Sequence, residues 1–166
     1  MNYLSIDTSS RLCSVTLFHN EKFYTEEVEN KQGHTTTLSS ICNKLERNKI
    51  HEIDFIAIAI GPGSYSGLRI SSSFAKGLAL SLNIPIVPIN TFEGMNLSIK
   101  NNGKYYISIY SHRDYAFFQL YHAGKIIEES KCDKIENMVE YDIYGYAFDD
   151  KLINDRFTDI KPSSKN

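Results

Sequence analysis

Two turns, each following a short apolar run, carry the residues of this chain that could act on a ligand. In the first, LSIDTSS at residues 4–10, a carboxylate and hydroxyls stand together as Asp7, Thr8 and Ser9. Such a turn could meet phosphate through its hydroxyls and orient a hydrated magnesium ion through its carboxylate. Aspartate and serine also close ordinary turns by bonding their own backbone. The motif alone therefore leaves a weak phosphate or nucleotide loop and a structural turn both open.

The second turn lies in IAIGPGSYSGLRI at residues 58–70. Its distinctive residues are Gly61, Pro62, Gly63, Gly67 and Arg69. Glycines permit close backbone approach, and the N–H groups at the start of the helix that follows could attract an anion. The loop matches neither the Walker phosphate loop nor the dinucleotide fingerprint, because the Walker lysine and the required glycine spacing are missing. A tight strand-to-helix turn is the competing interpretation.

The helix after this loop carries two rows of side chains at a spacing of four. One row is small, comprising Gly67, Ser71, Ala75 and Ala79, and the adjacent row is apolar, comprising Ile70, Phe74, Leu78 and Leu82. Small residues let another helix approach closely, whereas an apolar row supplies burial. One face can therefore serve the core and the other a partner, or both can be covered within the chain.

Metal and disulfide chemistry are not predicted. The histidines lack clustered ligands at metal spacing, and the lone His34 at a helix start is typical of a cap or surface group. The three cysteines, Cys13, Cys42 and Cys132, are odd in number and contain no CxxC pair. We expect them to be reduced.

The apolar patterns predict the order of elements. The first hundred residues give strands at 3–6, 14–18 and 22–27, a helix at 34–48, a buried strand at 55–60, the long helix from Ser66, a strand at 84–89 and a helix from Thr91. Three strands follow at 105–110, 115–121 and 125–129, then a weak helix at 132–139, a strand at 141–148 and a polar tail. The second half thus repeats the opening meander of the first and stops early.

This repeat predicts an α/β fold of the actin-like (ASKHA, sugar-kinase or RNase H-like) architecture with two lobes. The N-terminal lobe is expected at residues 1–100, and a truncated or reduced C-terminal lobe with a polar tail at residues 101–166. Fold alone does not assign a function.

The charge and the apolar patterns of the chain limit the kinds of partner and the cellular compartment that we expect. The chain of 166 residues has 18 basic and 20 acidic side chains, so no overall positive field recruits nucleic acid. Its amino terminus lacks the pattern of a secretory signal, and no apolar stretch reaches membrane-spanning length. We therefore expect a cytoplasmic protein without a membrane partner.

Together, LSIDTSS and IAIGPGSYSGLRI closely resemble the TsaB family, also called YeaZ, the small actin-like subunits of the bacterial threonylcarbamoyladenosine machinery. The resemblance covers residues 1 to about 100 well and residues 101–148 loosely. It implies a non-catalytic paralogue of TsaD, the subunit that transfers a threonylcarbamoyl group to an adenosine beside the tRNA anticodon. In TsaD-like chains two histidines four residues apart suit a metal, whereas here His34 is followed by Leu38.

The chain departs from the TsaB pattern in the later lobe. The family turn of Asp-Ala-Arg, followed by glycine and glutamate, is replaced by SHRD at residues 111–114, where only Arg113 fits. A second phosphate loop is therefore missing its glycine. Nucleotide hydrolysis by this chain alone is not expected.

The resemblance implies a scaffold role in which two helices pair with matching helices of TsaD. The interface residues predicted on this basis are Leu38, Ile41, Leu45, Gly67, Ser71, Ala75 and Ala79. TsaE is the implied partner in the larger complex, tRNA is met only through that complex, and a homodimer forms when the chain is alone. No cofactor is expected in this chain, with ATP and metal on the partner subunits.

Two alternatives stay open. One is an enzyme, either an ATP-dependent small-molecule kinase or ATPase that uses the actin-like cleft, or a protease of the glycoprotease kind. Asp7 is the one candidate carboxylate for the kinase, and the sequence contains no visible protease constellation. The other is a free-standing binding protein that has lost its partner surface.

Overall fold

The first sheet contains five strands and is covered on one face by two helices. The computed structural model describes residues 1–29, 34–46, 49–138, 140–148 and 155–165. The strands are β1 (Tyr3–Asp7), β2 (Leu12–His19), β3 (Lys22–Glu29), β4 (Phe55–Ala59) and β5 (Ile86–Ile89). The helices are α1 (Thr35–Glu46), α2 (Tyr65–Leu82) and α3 (Thr91–Asn96), and a 3-10 turn spans Ile50–Glu52.

The predicted opening meander is confirmed. β1, β2 and β3 pair antiparallel in sequence, whereas β4 joins β1 and β5 joins β4 in parallel. The order is β3-β2-β1-β4-β5, so β4 lies inside the sheet, as its continuous apolar run predicts.

The second sheet repeats the arrangement of the first. Its strands are β6 (Lys104–His112), β7 (Tyr115–His122), β8 (Lys125–Ile126), β9 (Lys131–Lys134), β10 (Asp142–Tyr146) and β11 (Phe157–Asp159). The order is β11-β10-β6-β7-β8, with β10 parallel to both β6 and β11. The meander of β6 to β8 and the parallel pair of β10 and β11 match β1 to β3 and β4 to β5. The predicted repeat is therefore present.

Two predictions for the second half are wrong. The weak helix at 132–139 is instead β9, which pairs with β7, followed by a 3-10 turn at Ile135–Asn137. Residues 157–159, expected to belong to a polar tail, form the edge strand β11. Position 139 of the predicted helix lies outside the described residues.

The core of the first half lies between its sheet and the two helices. Leu4 and Ile6 of β1 point to this core and pack with Leu38 and Ile41 of α1. The small row of α2, comprising Gly67, Ser71, Ala75 and Ala79, is buried as well, with Ala75 at 0% exposure. Small side chains let the helix approach the sheet closely.

This burial corrects the predicted partner interface. Leu38, Ile41, Gly67, Ser71, Ala75 and Ala79 are buried within the chain, and Leu45 packs against the same core. A side chain covered by its own sheet has no surface left for another protein. The apolar row, comprising Ile70, Phe74, Leu78 and Leu82, remains half-buried at the edge of this core.

The segment after β11 returns to the first sheet instead of extending into solvent. Ser164 is buried, and its hydroxyl lies 2.8 Å from the hydroxyls of both Ser14 and Thr16 on β2. The backbone N–H of Ser164 donates to the hydroxyl of Ser14 at 3.0 Å. Ser163 donates to the carboxylate of Glu27 at 2.7 Å. Residues 160–165, which we call the strap, therefore cover the face of the sheet opposite α1 and α2.

Within the described residues, no helix combines the length and apolar character needed to cross a bilayer.

Candidate functional site

The two motif turns, far apart in sequence, pack against each other. The hydroxyl of Thr8 donates to the carbonyl of Gly67 at 2.8 Å. The N–H of Ser64 donates to the carbonyl of Ser9 at 2.5 Å. The glycine loop also holds α3, because the N–H of Thr91 donates to the carbonyl of Gly61 at 2.9 Å. One junction therefore joins β1, the start of α2 and the start of α3.

Two glycines are required by this junction. A Cβ on Gly67 would lie 2.0 Å from the carbonyl oxygen of Thr8, and one on Gly63 would lie 2.2 Å from that of Ser9. Gly63 also has a φ of 152°, which disfavours a side chain. The glycines of the loop thus permit backbone contact between two parts of the chain.

The start of α2 is already capped from within the chain. The hydroxyl of Ser64 accepts a hydrogen bond from the N–H of Gly67 at 3.2 Å, and the carbonyl oxygens of Thr8 and Ser9 lie against the loop. Helix N-termini bind anions through free N–H groups. Here the chain's own oxygen atoms occupy this position, so the geometry favours the structural interpretation of the glycine loop.

The polar groups of the first turn are likewise engaged. The Oδ1 of Asp7 accepts hydrogen bonds from the backbone N–H of Ser9 at 2.8 Å and from its hydroxyl at 2.7 Å. Thr8 and Ser9 are fully buried. Both hydroxyls that were expected to meet phosphate therefore donate to the chain itself. Phosphate binding by Asp7, Thr8 and Ser9 stays a prediction.

Asp7 is 7% exposed, and burial raises the pKa of its carboxyl. The bonds from Ser9 and the nearby His34 oppose this shift, whereas Glu27 adds to it. A carboxyl with a raised pKa binds more protons in the folded state than in the unfolded state. Its ionisation therefore lowers the stability of the fold as pH rises above the unfolded value.

We expect Asp7→Asn to increase the free energy of unfolding at pH 7, because asparagine keeps the bonds from Ser9 without a buried charge. The advantage over the wild type should shrink as pH falls below the raised pKa, where the wild-type carboxyl is also neutral. Urea unfolding of both proteins across this range measures the difference. An advantage that stays constant with pH would contradict the assignment.

His34 is buried, which corrects the expectation of a cap or surface group. Its Nε2 donates to the carbonyl of Ser10 at 2.8 Å, and its Nδ1 has no partner within the described residues. The described residues contain no group of three or more potential metal ligands. His34 therefore serves to hold the first turn.

Arg69 lies on the exposed side of α2. Its Nη1 donates to the hydroxyl of Tyr65 at 3.3 Å, and its guanidinium carbon lies 5.3 Å from the centre of that ring. Both side chains are exposed, and neither takes part in the junction. The arginine of the motif is therefore available at the outer surface of the helix.

A contact between the two sheets was not predicted from the sequence. The hydroxyl of Tyr146 on β10 makes a short hydrogen bond to the carboxylate of Glu29 on β3, and Arg11 lies over the tyrosine ring. Burial and the nearby carboxylate raise the pKa of Tyr146. The partners are separated by 117 residues, so no local pattern connects them. Arg113, the residue that fits the family turn, is exposed at a positive φ of 54°.

The comparisons with known proteins agree with this architecture. The family model of TsaD, tRNA N6-adenosine threonylcarbamoyltransferase, matches residues 28–159. The tRNA threonylcarbamoyladenosine biosynthesis protein TsaB of Buchnera aphidicola subsp. Baizongia pistaciae is 36% identical over 105 residues, which cover 61% of this chain and 48% of that protein. The chain thus spans about half the length of the curated relatives it matches.

Solved structures show the same fold. YeaZ from Pseudomonas aeruginosa superposes with a TM-score of 0.71 at 21% identity, covering 87% of this chain and 74% of that one. A Bacteroides thetaiotaomicron protein with an actin-like ATPase fold gives a TM-score of 0.50 at 10% identity, covering 90% of this chain and 84% of that one. The predicted actin-like class is confirmed. The chain belongs to the TsaD family, that of the tRNA N6-adenosine threonylcarbamoyltransferases, and is one of its TsaB-like members.

Proposed function

We propose that the chain is a non-catalytic subunit of the machinery that makes threonylcarbamoyladenosine in tRNA, and that it supports TsaD by binding it. The observation that carries this proposal is that the polar groups of both motif turns are engaged within the chain, some in their own turn and some in the other. The hydroxyl of Thr8 and the start of α2, which a nucleotide would need, are engaged within the junction. The similarity to TsaB supplies the pathway.

The rest of the assembly follows from the same proposal. TsaE joins the larger complex, ATP and metal bind the partner subunits, and tRNA meets the chain only through the complex. The balanced charge of the chain supports this indirect contact. The site of action is the cytoplasm, where tRNA is modified. Without its partner the chain pairs with itself through the same surface.

Because the small row of α2 is buried, the proposed contact moves to the outer side of that helix. Tyr65 and Leu80 are large exposed side chains there, with Leu80 at 85% exposure. Gly77 lies between them on the exposed side, and a Cβ built on it meets nothing within 4 Å. Ile70 and Phe74 add half-buried apolar area at the flank. A helix of TsaD could approach closely at Gly77 because no side chain intervenes.

Gly77→Arg tests this surface. The substitution places a charge in open space on a helix and replaces glycine by a better helix former, so the thermal transition of the isolated chain should be no lower than that of the wild type. Copurification with coexpressed TsaD should fall by at least about 100-fold, because an unpaired charge buried in an interface costs several kcal/mol.

Ile127→Arg is the matched control, since Ile127 is exposed beyond β8 in the other sheet. This variant should retain TsaD as the wild type does. Normal retention by Gly77→Arg would overturn the proposed surface. Loss of TsaD by both variants would show that the effect is not specific to α2.

A further inference from the structure

A cavity of about 500 Å³ lies on the face of the first sheet opposite α1 and α2. Alternate residues of β1 and β4 form its floor, and α3 and the strap form its two walls. Ser5 and Ala57, which lie opposite each other on β1 and β4, occupy the middle of this floor. The hollow exists because these small side chains lie between the larger groups at the two ends of β1.

One end of the cavity is aromatic. Tyr3 and Phe55 lie opposite each other on neighbouring strands, with ring centres 5.1 Å apart. Met95 and Leu97, on the α3 side, also line the cavity and add apolar surface to it. This end suits a flat or aliphatic group.

The other end holds the buried carboxylate of Asp7, which forms no ion pair within the described residues. Asp7 lies four residues after Tyr3 on the same face of β1, so the two Cα atoms are about 13 Å apart. The ion pairs of the described residues include none to Asp7, and Ser9 bonds only its Oδ1. A buried carboxylate without a counter-ion is costly, and a cation beside it recovers that cost.

A second polar group at this cavity also lacks a partner. Thr91 lines the cavity and is 3% exposed, and its hydroxyl has no hydrogen-bond partner within the described residues. Buried hydroxyls are normally satisfied. The hydroxyl oxygen itself has almost no accessible surface, so it lies within the wall of the cavity and is not counted among the contacts of a ligand.

We propose that this cavity binds a small organic cation, an ammonium group carried on an aromatic or aliphatic tail. The ammonium lies at Asp7, and the tail lies over Ser5 and Ala57 toward Tyr3 and Phe55. The ligand spans the distance between the two ends of β1. The cavity is on the opposite sheet face from the surface proposed for TsaD, so the two proposals fail independently.

Two other charged side chains line the cavity. Lys165 on the strap and Glu93 on α3 are both exposed. Water and salt screen exposed charges much more than buried ones. The buried carboxylate of Asp7 therefore determines that the cavity favours a positively charged ligand. The exposed Lys165 is too well screened to favour an anion.

Three probes that share one skeleton test the proposal: 3-phenylpropylammonium, 3-phenylpropanol and 3-phenylpropanoate. Titration calorimetry on the full chain at pH 7 should give saturable binding of the ammonium with a Kd below about 10 mM. The alcohol and the carboxylate should bind at least about tenfold more weakly, because charge-assisted hydrogen bonds are about twice as strong as neutral ones.

Three variants assign the contacts. Asp7→Asn keeps the acceptor for Ser9 and should weaken ammonium binding by about tenfold or more while leaving the alcohol unchanged. Glu93→Gln, at the exposed rim, should change it by less than about twofold. Ala57→Leu fills the floor and should abolish binding of every probe, which tests the position of the ligand independently of Asp7. Absence of saturable ammonium binding, equal binding of ammonium and alcohol, or ammonium binding unaffected by Asp7→Asn would each overturn it.

Discussion

Ala75→Arg is expected to abolish the cooperative unfolding transition of the chain or to lower its midpoint severely. Ala75 is completely buried where α2 lies against the first sheet, in contact with the cluster that includes Leu4 and Ile56. An arginine there must bury a charge without a partner and also needs volume that the packed interface lacks. We expect a loss of about 4 kcal/mol or more in the free energy of unfolding.

Gly77→Arg is the control for this experiment because it introduces the same side chain two residues further along α2, on the exposed side. Urea denaturation followed by circular dichroism should show a midpoint for Gly77→Arg that is no lower than that of the wild type. A near-normal midpoint for Ala75→Arg as well would show that the small row does not face the sheet.

Gly67→Ala is expected to destabilise the chain by about 3 kcal/mol, although alanine ordinarily favours a helix. The added Cβ would lie 2.0 Å from the carbonyl oxygen of Thr8, which is backbone and directly follows the last paired residue of β1. The two turns must separate to admit it. The hydrogen bond from the Thr8 hydroxyl to Gly67 should be lost with that movement.

Gly77→Ala, in the same helix, is expected to change the stability in the opposite direction. Nothing lies within 4 Å of a Cβ at position 77, so the usual helix preference should raise stability by up to about 1 kcal/mol. Thermal unfolding of the two variants beside the wild type measures the contrast. Similar shifts for both alanines would remove the evidence for a close junction at Gly67.

The sequence patterns predict the elements of the first sheet well because its order is built from local signals. Alternating apolar residues and tight turns specify β1 to β3, and the glycine loop marks the start of α2. The motif pair LSIDTSS and IAIGPGSYSGLRI also identifies the family. Only the structure shows why the two motifs occur together, because Thr8 of the first contacts Gly67 of the second.

The residues of α2 alone do not predict which face of the helix packs against the sheet. Both the small row and the apolar row could cover a core, and helical spacing shows which residues share a face but not what that face meets. The small row packs against the sheet because its small side chains let the helix approach the strands closely. The interface prediction failed for this reason, and no sequence pattern marks the exposed Gly77 as a contact position.

Long-range pairing explains the other errors. Residues 131–134 form β9 because the edge of β7 is available to them, which outweighs a weak helical pattern. The serines of the strap look like a polar tail, yet they reach hydroxyls on β2 that lie about 150 residues earlier. The cavity at Asp7 depends on the same return of the chain.

The strap also sets an order of events during synthesis on the ribosome. β1 and β2 emerge early and can pair at once, but the row of Ser14 and Thr16 cannot acquire its final partner until Ser164 has left the exit tunnel. During that interval Ser14 and Thr16 can bond their β3 neighbours Glu27 and Thr25, while water takes the place of Ser164 on that face of the sheet. The last contact to form therefore involves one of the first strands made, and the fold matures only after translation has passed both sheets.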